Sequence, residues 1–250
     1  MKLFGKQIPI FYSLFLWAAI WELVGRYGGL TILPPLSAVF EAGVEMVPTD
    51  KFRNAMAITL DAYFKGLFMA VGIGIPMGFL MGVSRTVDRL IGTWVNIFVS
   101  APLTAVVPIF MVILGIGQAT VIASVFLFAI WAIVLDTRAG VKHVNPSLPE
   151  MAYFFGASRW QIFYRIYLLA ALPEVLAGIR LGLIRAVKGV VIGQLLVAIM
   201  GIGELFELYS RNFLFDEFWA LLLMVFAFAF ATAEAVGFAE KRIEYYARTR

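Results

Sequence analysis

The chain has 250 residues, 62% of them hydrophobic and 14% charged, with a mean hydropathy of +0.91. A soluble domain carries about 25% charged residues, so this much apolar surface cannot be hidden in one aqueous core, and lipid must be the solvent for much of it. The absence of cysteine excludes disulfides and thiolate metal sites, and the net charge of +4 lacks the basic, aromatic-interleaved stripe of a nucleic-acid binder.

Lys2 and Lys6 precede an apolar run from Ile8 to about Val24. Glu22, Gly25 and Arg26 stand where a signal peptide would have a small-x-small cleavage site, so the run reads as a first, uncleaved span. Leu33-Pro34-Pro35-Leu36 is extended or turned, because each proline disfavours helix in its predecessor. Ser37 is expected to cap a short amphipathic helix reaching Met46. Asp61 and Lys65 can pair across one helical turn ahead of a charge-free second span, Gly66 to Val83. Within it Gly74, Gly78 and Gly82 recur every four residues, which predicts close approach of another helix, while Pro76 should kink or loosen the segment.

No formal charge occurs from Ile91 to Leu135, far more than one span needs. Gly115-Ile116-Gly117-Gln118 divides the stretch into two spans, and Pro102 and Pro108 break the first into an approach segment and a membrane helix. A fifth span runs from Pro173 to about Ile202 and a sixth from Phe218 to Phe238. The expected divisions are 1–53 (first span and outer loop), 54–240 (membrane core) and 241–250 (basic tail).

Lysine and arginine set the orientation. With the N-terminus inside, Lys2, Lys6, Arg85, Arg89, Arg138, Lys142, Arg159, Arg165, Lys241, Arg242, Arg248 and Arg250 are cytoplasmic, against Arg26, Lys51, Arg53 and Arg211 outside. Both termini and the long connector from Asp136 to about Leu172 therefore face the cytoplasm.

That connector is much longer than a turn requires. Glu150 to Phe155 favours a short helix, entered through Asn145, Pro146, Ser147 and Pro149. Gly156 permits a sharp stop, and Ser158 can cap a second helix from Arg159 to Tyr167. Tyr153, Phe154, Phe155 and Trp160 are apolar anchors of the kind found at interface cores. The alternative is an amphipathic loop whose aromatics rest on the membrane surface.

Glu150-Met151-Ala152, Gly156, Ile166 and Leu172-Pro173 resemble the Glu-Ala-Ala motif of importer-type ABC permeases. Gly156-Ala157-Ser158-Arg159-Trp160-Gln161 and Ala170-Ala171-Leu172-Pro173 are similar to the branch importing sulfonates such as taurine, nitrate and bicarbonate. Thr59-Leu60, Gly66, Ala70 and the glycines through Gly82 match that family's second helix, and Leu33-Pro34-Pro35 and Gly201-Ile202-Gly203 resemble two of its loop elements. Met151 departs from alanine, and Leu168-Leu169 replaces the commoner early Leu-Pro. The resemblance implies an all-α, six-span membrane protein like a type I importer permease, with a cytoplasmic coupling helix-turn-helix. It also implies a second copy of the permease, two ATPase subunits inside, a periplasmic or extracellular solute-binding protein outside, and a bacterial inner-membrane location. Carried over by position, the ATPase-coupling set is Glu150, Ala152, Tyr153, Phe154, Phe155, Gly156, Ala157, Ser158, Arg159, Trp160, Phe163 and Pro173.

Arg180, Arg185 and Lys188 lie in the fifth span, where charge is expensive and faces protein or a wet cavity. With Glu174 and Gln194 they fall within one half of the helix. Lys188, Gln194 and Arg185 are candidates for a solute path suited to an anion, Gln194 because the resembling family often has a glutamate there and a neutral residue is kinder to an anion; the alternative, open for Lys188 too, is that the cations lock helices together or reach headgroups. Asp136 and Glu234 read as structural, and lone His143 as an ordinary surface residue. There is no Gly-x-x-x-x-Gly-Lys-Ser/Thr nucleotide loop and no metal motif or nucleophile-base pair, so neither a cofactor nor catalysis is expected. An ion-coupled secondary carrier and a membrane-embedded enzyme or scaffold are the rival readings. The first would not need a structured connector, and the second would need clustered His, Asp or Glu.

Overall fold

Backbone N–H and C=O groups placed in lipid must be paired within the chain, and the apolar runs meet that demand as helices. The computed structural model describes residues 2–3, 6–7, 10–197 and 199–248, with side chains described for 12–197 and 199–238. Lys2–Leu3 and Lys6–Gln7 form a minimal antiparallel ladder. Six helices precede the connector: α1 (Ile10–Tyr27), α2 (Leu36–Met46), α3 (Asp50–Val83), α4 (Arg85–Ser100), α5 (Val107–Leu114) and α6 (Gln118–His143). A 3-10 turn, Leu103–Val106, leads into α5. The connector holds α7 (Ser147–Phe154), α8 (Arg159–Ile162), a π turn (Phe163–Tyr167) and α9 (Leu168–Ala170). The chain ends with α10 (Leu172–Val197), α11 (Gly201–Arg211) and α12 (Phe215–Arg248).

Among the described residues α3, α6 and the Phe215–Phe238 part of α12 are each long and apolar enough to span a bilayer. Two bent pairs raise the number to five: α4 with Leu103–Leu114, turned by 98°, and α10 with α11, turned by 56°. The first bend falls at Pro102, as the sequence predicts. The remaining expected span, the first, falls on α1, which is not among these helices and whose 18 residues carry charge only at Glu22 and Arg26.

Several local expectations are corrected. Ser37 does not cap α2, which starts one residue earlier with Pro35 at the cap position. Instead the Ser37 backbone N–H and hydroxyl both donate to Glu22, at 2.9 Å each, tying the outer loop to α1. The Trp21 indole donates to Pro34 O and the Trp219 indole to Ile32 O, so the proline element is clasped between α1 and α12. The second span is part of a 34-residue helix that starts at Asp50, capped by Thr49, and runs unbroken through Pro76. The segment 241–248, expected as a separate tail, continues α12.

The core is organised around α6, which packs chiefly against α3 on one side and α10 on the other. Both partners meet it through glycine. A Cβ added at Gly78 would lie 2.6 Å from Thr137 Cβ and 2.7 Å from Val134 O, and one at Gly82 would lie 2.4 Å from Val141 Cβ. Gly74 faces Ile133 at 3.1 Å. The predicted ladder is thus a backbone-close face. On the other side Gly182 abuts Ile133 and Gly189 abuts the Val125 Cα, at 2.8 Å each. Tight dispersion contacts of this kind hold helices together where lipid removes the hydrophobic drive.

Candidate functional site: the connector and the fifth span

The connector begins where Asn145 Oδ1 accepts from the Ser147 backbone and hydroxyl, at 3.1 and 2.9 Å, turning the chain into α7. Glu150 lies in the first turn, where a carboxylate complements the helix dipole. α7 ends with the Ala157 N–H on Ala152 O at 2.9 Å and the Gly156 N–H on Tyr153 O at 3.0 Å. That double closure needs a left-handed residue, and Gly156 supplies φ +79°. Nothing lies within 4 Å of a Cβ built there, so backbone conformation rather than crowding selects glycine. Ser158 then caps α8 in a reciprocal capping box: its hydroxyl accepts from Gln161 N at 3.3 Å, and Gln161 Oε1 accepts from Ser158 N at 2.7 Å.

The result is a rigid two-helix peg whose large apolar side chains are bare. Phe154 is 86% exposed, Phe155 79%, Tyr153 73% and Trp160 71%. Arg159 is exposed, and Ala152 and Ala157 line a notch with Phe155, Gly156, Gln161 and Arg165. Two members of the expected set sit elsewhere. Phe163 turns inward and meets Phe79 of α3, centroids 5.3 Å apart, and Pro173 stands half-buried in the first turn of α10. The expected second helix, Arg159 to Tyr167, is also not uniform, because a π turn occupies Phe163–Tyr167. No pattern of residue types marks that turn.

The three cations of α10 have different surroundings. Arg180 pairs with Glu234 of α12 at 3.4 Å, a helix lock. Arg185 is half-buried and close enough to Asp136 of α6 to act on it electrostatically. Lys188 is exposed and has no ion-pair partner among the described residues.

Gln194 lies apart from that exposed face. It is fully buried, and its Oε1 is 2.9 Å from the Thr59 hydroxyl, which also accepts from Ile202 N at 3.1 Å and donates to Ala55 O at 2.8 Å. One hydroxyl proton cannot serve both Ala55 O and Gln194 Oε1, and Gln194 Nε2 has no acceptor. Rotating the amide by half a turn lets Nε2 donate to Thr59 and resolves the conflict. The node also explains Gly201 and Gly203, whose added Cβ atoms would each lie 2.2 Å from an atom of Gln194. Sequence reading missed this role, although the Gly-x-Gly stood next to it.

A helical bundle locked by glycine, with helices long and apolar enough to span a bilayer and a connector of bare aromatics, is the architecture of a membrane protein. Residues 70–245 match the family described as the inner membrane component of binding-protein-dependent transport systems, and the chain belongs to that family. It is 32% identical to the taurine transport system permease protein of Escherichia coli, over 68% of this chain and 64% of the relative. It is 28% identical to the formylaminopyrimidine transport permease protein of Halalkalibacterium halodurans, over 74% of each chain. Its fold matches a chain of the inward-facing MetNI methionine ABC transporter with a TM-score of 0.66 at 23% identity, covering 76% of this chain and 94% of the other. The protein is a multi-pass permease subunit of an ABC importer. ATP hydrolysis belongs to a separate subunit, and the family works with a solute-binding protein.

Proposed function

We propose that residues 150–167 are the element through which this permease grips its ATPase, and that the assembly contains two copies of the chain and two ATPase subunits in a bacterial inner membrane, with both termini cytoplasmic. The observation that carries this reading is the peg itself. Four large aromatics, Tyr153, Phe154, Phe155 and Trp160, are held bare on a scaffold fixed by Gly156 and the Ser158 capping box. Aromatic anchors on a rigid, desolvatable surface are what a partner groove selects. Co-purification of the ATPase with Phe155→Ala and with Trp160→Ala tests it. Docking is expected to weaken by about 1–3 kcal/mol for each, and parental yields for both would remove the assignment.

A second copy follows from the exposed Lys188. Counting along α10 from Leu172, it stands roughly 24 Å into the helix at 1.5 Å per residue. A charge at that depth facing lipid is costly, so a neighbouring protomer and a wet path between the two must cover it. Lys188 is then the uncompensated cation of the path, set apart from paired Arg180 and from Arg185 with Asp136. We assign the solute as a small organic or inorganic anion such as a sulfonate. The formylaminopyrimidine relative keeps an uncharged solute as the outcome to exclude, by comparing ATP-driven uptake of taurine and nitrate with that of a neutral pyrimidine.

A further inference from the structure

The π turn at Phe163–Tyr167 interrupts the helix that joins the peg to α10. Its closing bond runs from the Leu168 N–H to Phe163 O, five residues back. One extra residue in the turn rotates everything beyond it by about 100° relative to a continuous α-helix. Where the turn begins, Trp160 and Tyr164, the second residue of the turn, stack on the outer face, ring centroids 6.0 Å apart. In an unbroken helix Leu168 and Ala171 would continue that outer face. Instead Tyr167 and Leu168 pack inward against a small cluster of Phe79, Val141, Ala171 and Val175, in which Ala171 is completely buried.

Phe163 is where the two faces meet. Its ring touches Trp160 edge-on at 6.2 Å on the peg side and Phe79 at 5.3 Å on the α3 side. Phe79 is 4% exposed and follows Gly78, one of the residues at which α3 lies closest against α6. A displacement of Trp160 therefore reaches α3 through two ring contacts, and reaches α6 through the glycine face. Packed rings and close backbones transmit displacement because the interior has little room to absorb it.

We propose that Phe163 is not a docking anchor but a positioning residue for coupling, a latch by which the π turn ties the peg to α3. The inference rests on the peg reading above. Its test uses the permease assembled with its ATPase in vesicles, carrying Val83→Cys as the sole thiol of a chain that has none, labelled with bimane at the end of α3. The readout is the change in bimane emission on trapping with ATP and vanadate, measured beside the amount of ATPase that co-purifies. Phe163→Ala is expected to retain parental docking while reducing the emission change about five-fold or more, the lower end of ordinary coupling. Phe79→Ala should do the same from the other side, and the double variant should be no worse than either single one. Phe163→Leu should restore much of the signal. Phe79→Leu covers the case in which an alanine variant fails to assemble: it must lower the emission change with docking unaltered. A parental emission change in assembled Phe163→Ala or Phe79→Ala, or in Phe79→Leu where an alanine variant does not assemble, overturns the latch, as does loss of docking in step with Trp160→Ala. Parental docking in Trp160→Ala and Phe155→Ala would instead overturn the peg reading, a result the latch variants do not give.

Discussion

The bundle of α3, α6 and α10 and the connector of α7 to α9 solve opposite problems. In the bundle, Gly78, Gly82, Gly182 and Gly189 bring backbones so close that a single Cβ would collide with a neighbour. In the connector, Gly156 has open space around it, and the aromatics beside it touch little. Glycine serves packing in the first region and backbone conformation in the second. The first region packs chiefly against itself, apart from the Lys188 side of α10, whereas the second presents the bare aromatics that the proposed ATPase contact would cover. Substitutions should therefore fail differently: by loss of the fold in the bundle, and by loss of communication in the connector.

The largest effect is expected at Gly78. Leucine there meets the Thr137 Cβ and the Val134 carbonyl, neither of which can rotate away, so Gly78→Leu should cost about 3 kcal/mol or more. Gly92→Leu is the control, since the nearest atoms to its added Cβ are 3.7 and 3.8 Å away and belong to side chains; about 1 kcal/mol or less is expected. Thermal melting of the two variants in detergent measures the gap, and equal midpoints would show that the ladder is not a contact face.

Gly156→Val should come next in its effect on transport and much lower in its effect on stability. A β-branched residue at φ +79° costs about 1–2 kcal/mol locally, without a collision. The protein should insert and melt near the parental temperature, with ATP-driven uptake severely reduced. If its melting point falls as far as that of Gly78→Leu, the contrast between the two glycines is wrong.

Lys188→Met should leave both regions intact, sparing the fold and the docking of the ATPase while lowering taurine uptake. The ammonium is exposed and has no ion-pair partner among the described residues, and an anion would feel it strongly in a low-dielectric path. Arg180→Met, by contrast, should lower stability through loss of its tie to Glu234. Unchanged uptake kinetics in Lys188→Met would assign Lys188 to a structural role.

What the sequence disclosed follows the same division. The α3 ladder was legible because identical small residues recur at four-residue spacing on one face. Gly178, Gly182, Gly189 and Gly193 of α10 carry the same kind of signal, overlaid by the cations among them. Gly156 and Ser158 were readable because turn and cap chemistry is local. Pairings between distant elements were not: Thr59 with Gln194 and Ile202, or Asp88 with Arg138 and Lys142, at 2.5 and 2.6 Å, depend on how helices are placed. The π turn was also hidden, since it answers a change of face that tertiary packing imposes. Gln194, a path candidate because the resembling family often has a glutamate at that position, is a buried joint between α3, α10 and α11.

The central claim, that the connector is the ATPase grip, is tested most directly by titrating the ATPase onto the permease in lipid nanodiscs. The parent is compared with a variant in which Phe154, Phe155 and Trp160 are all alanine. All three side chains are exposed, so the variant should melt with the parent. Its affinity should fall by about 100-fold or more, the combined effect of several interface anchors. Parental affinity in a normally folded variant would contradict the account, and the grip would have to lie elsewhere on the cytoplasmic face.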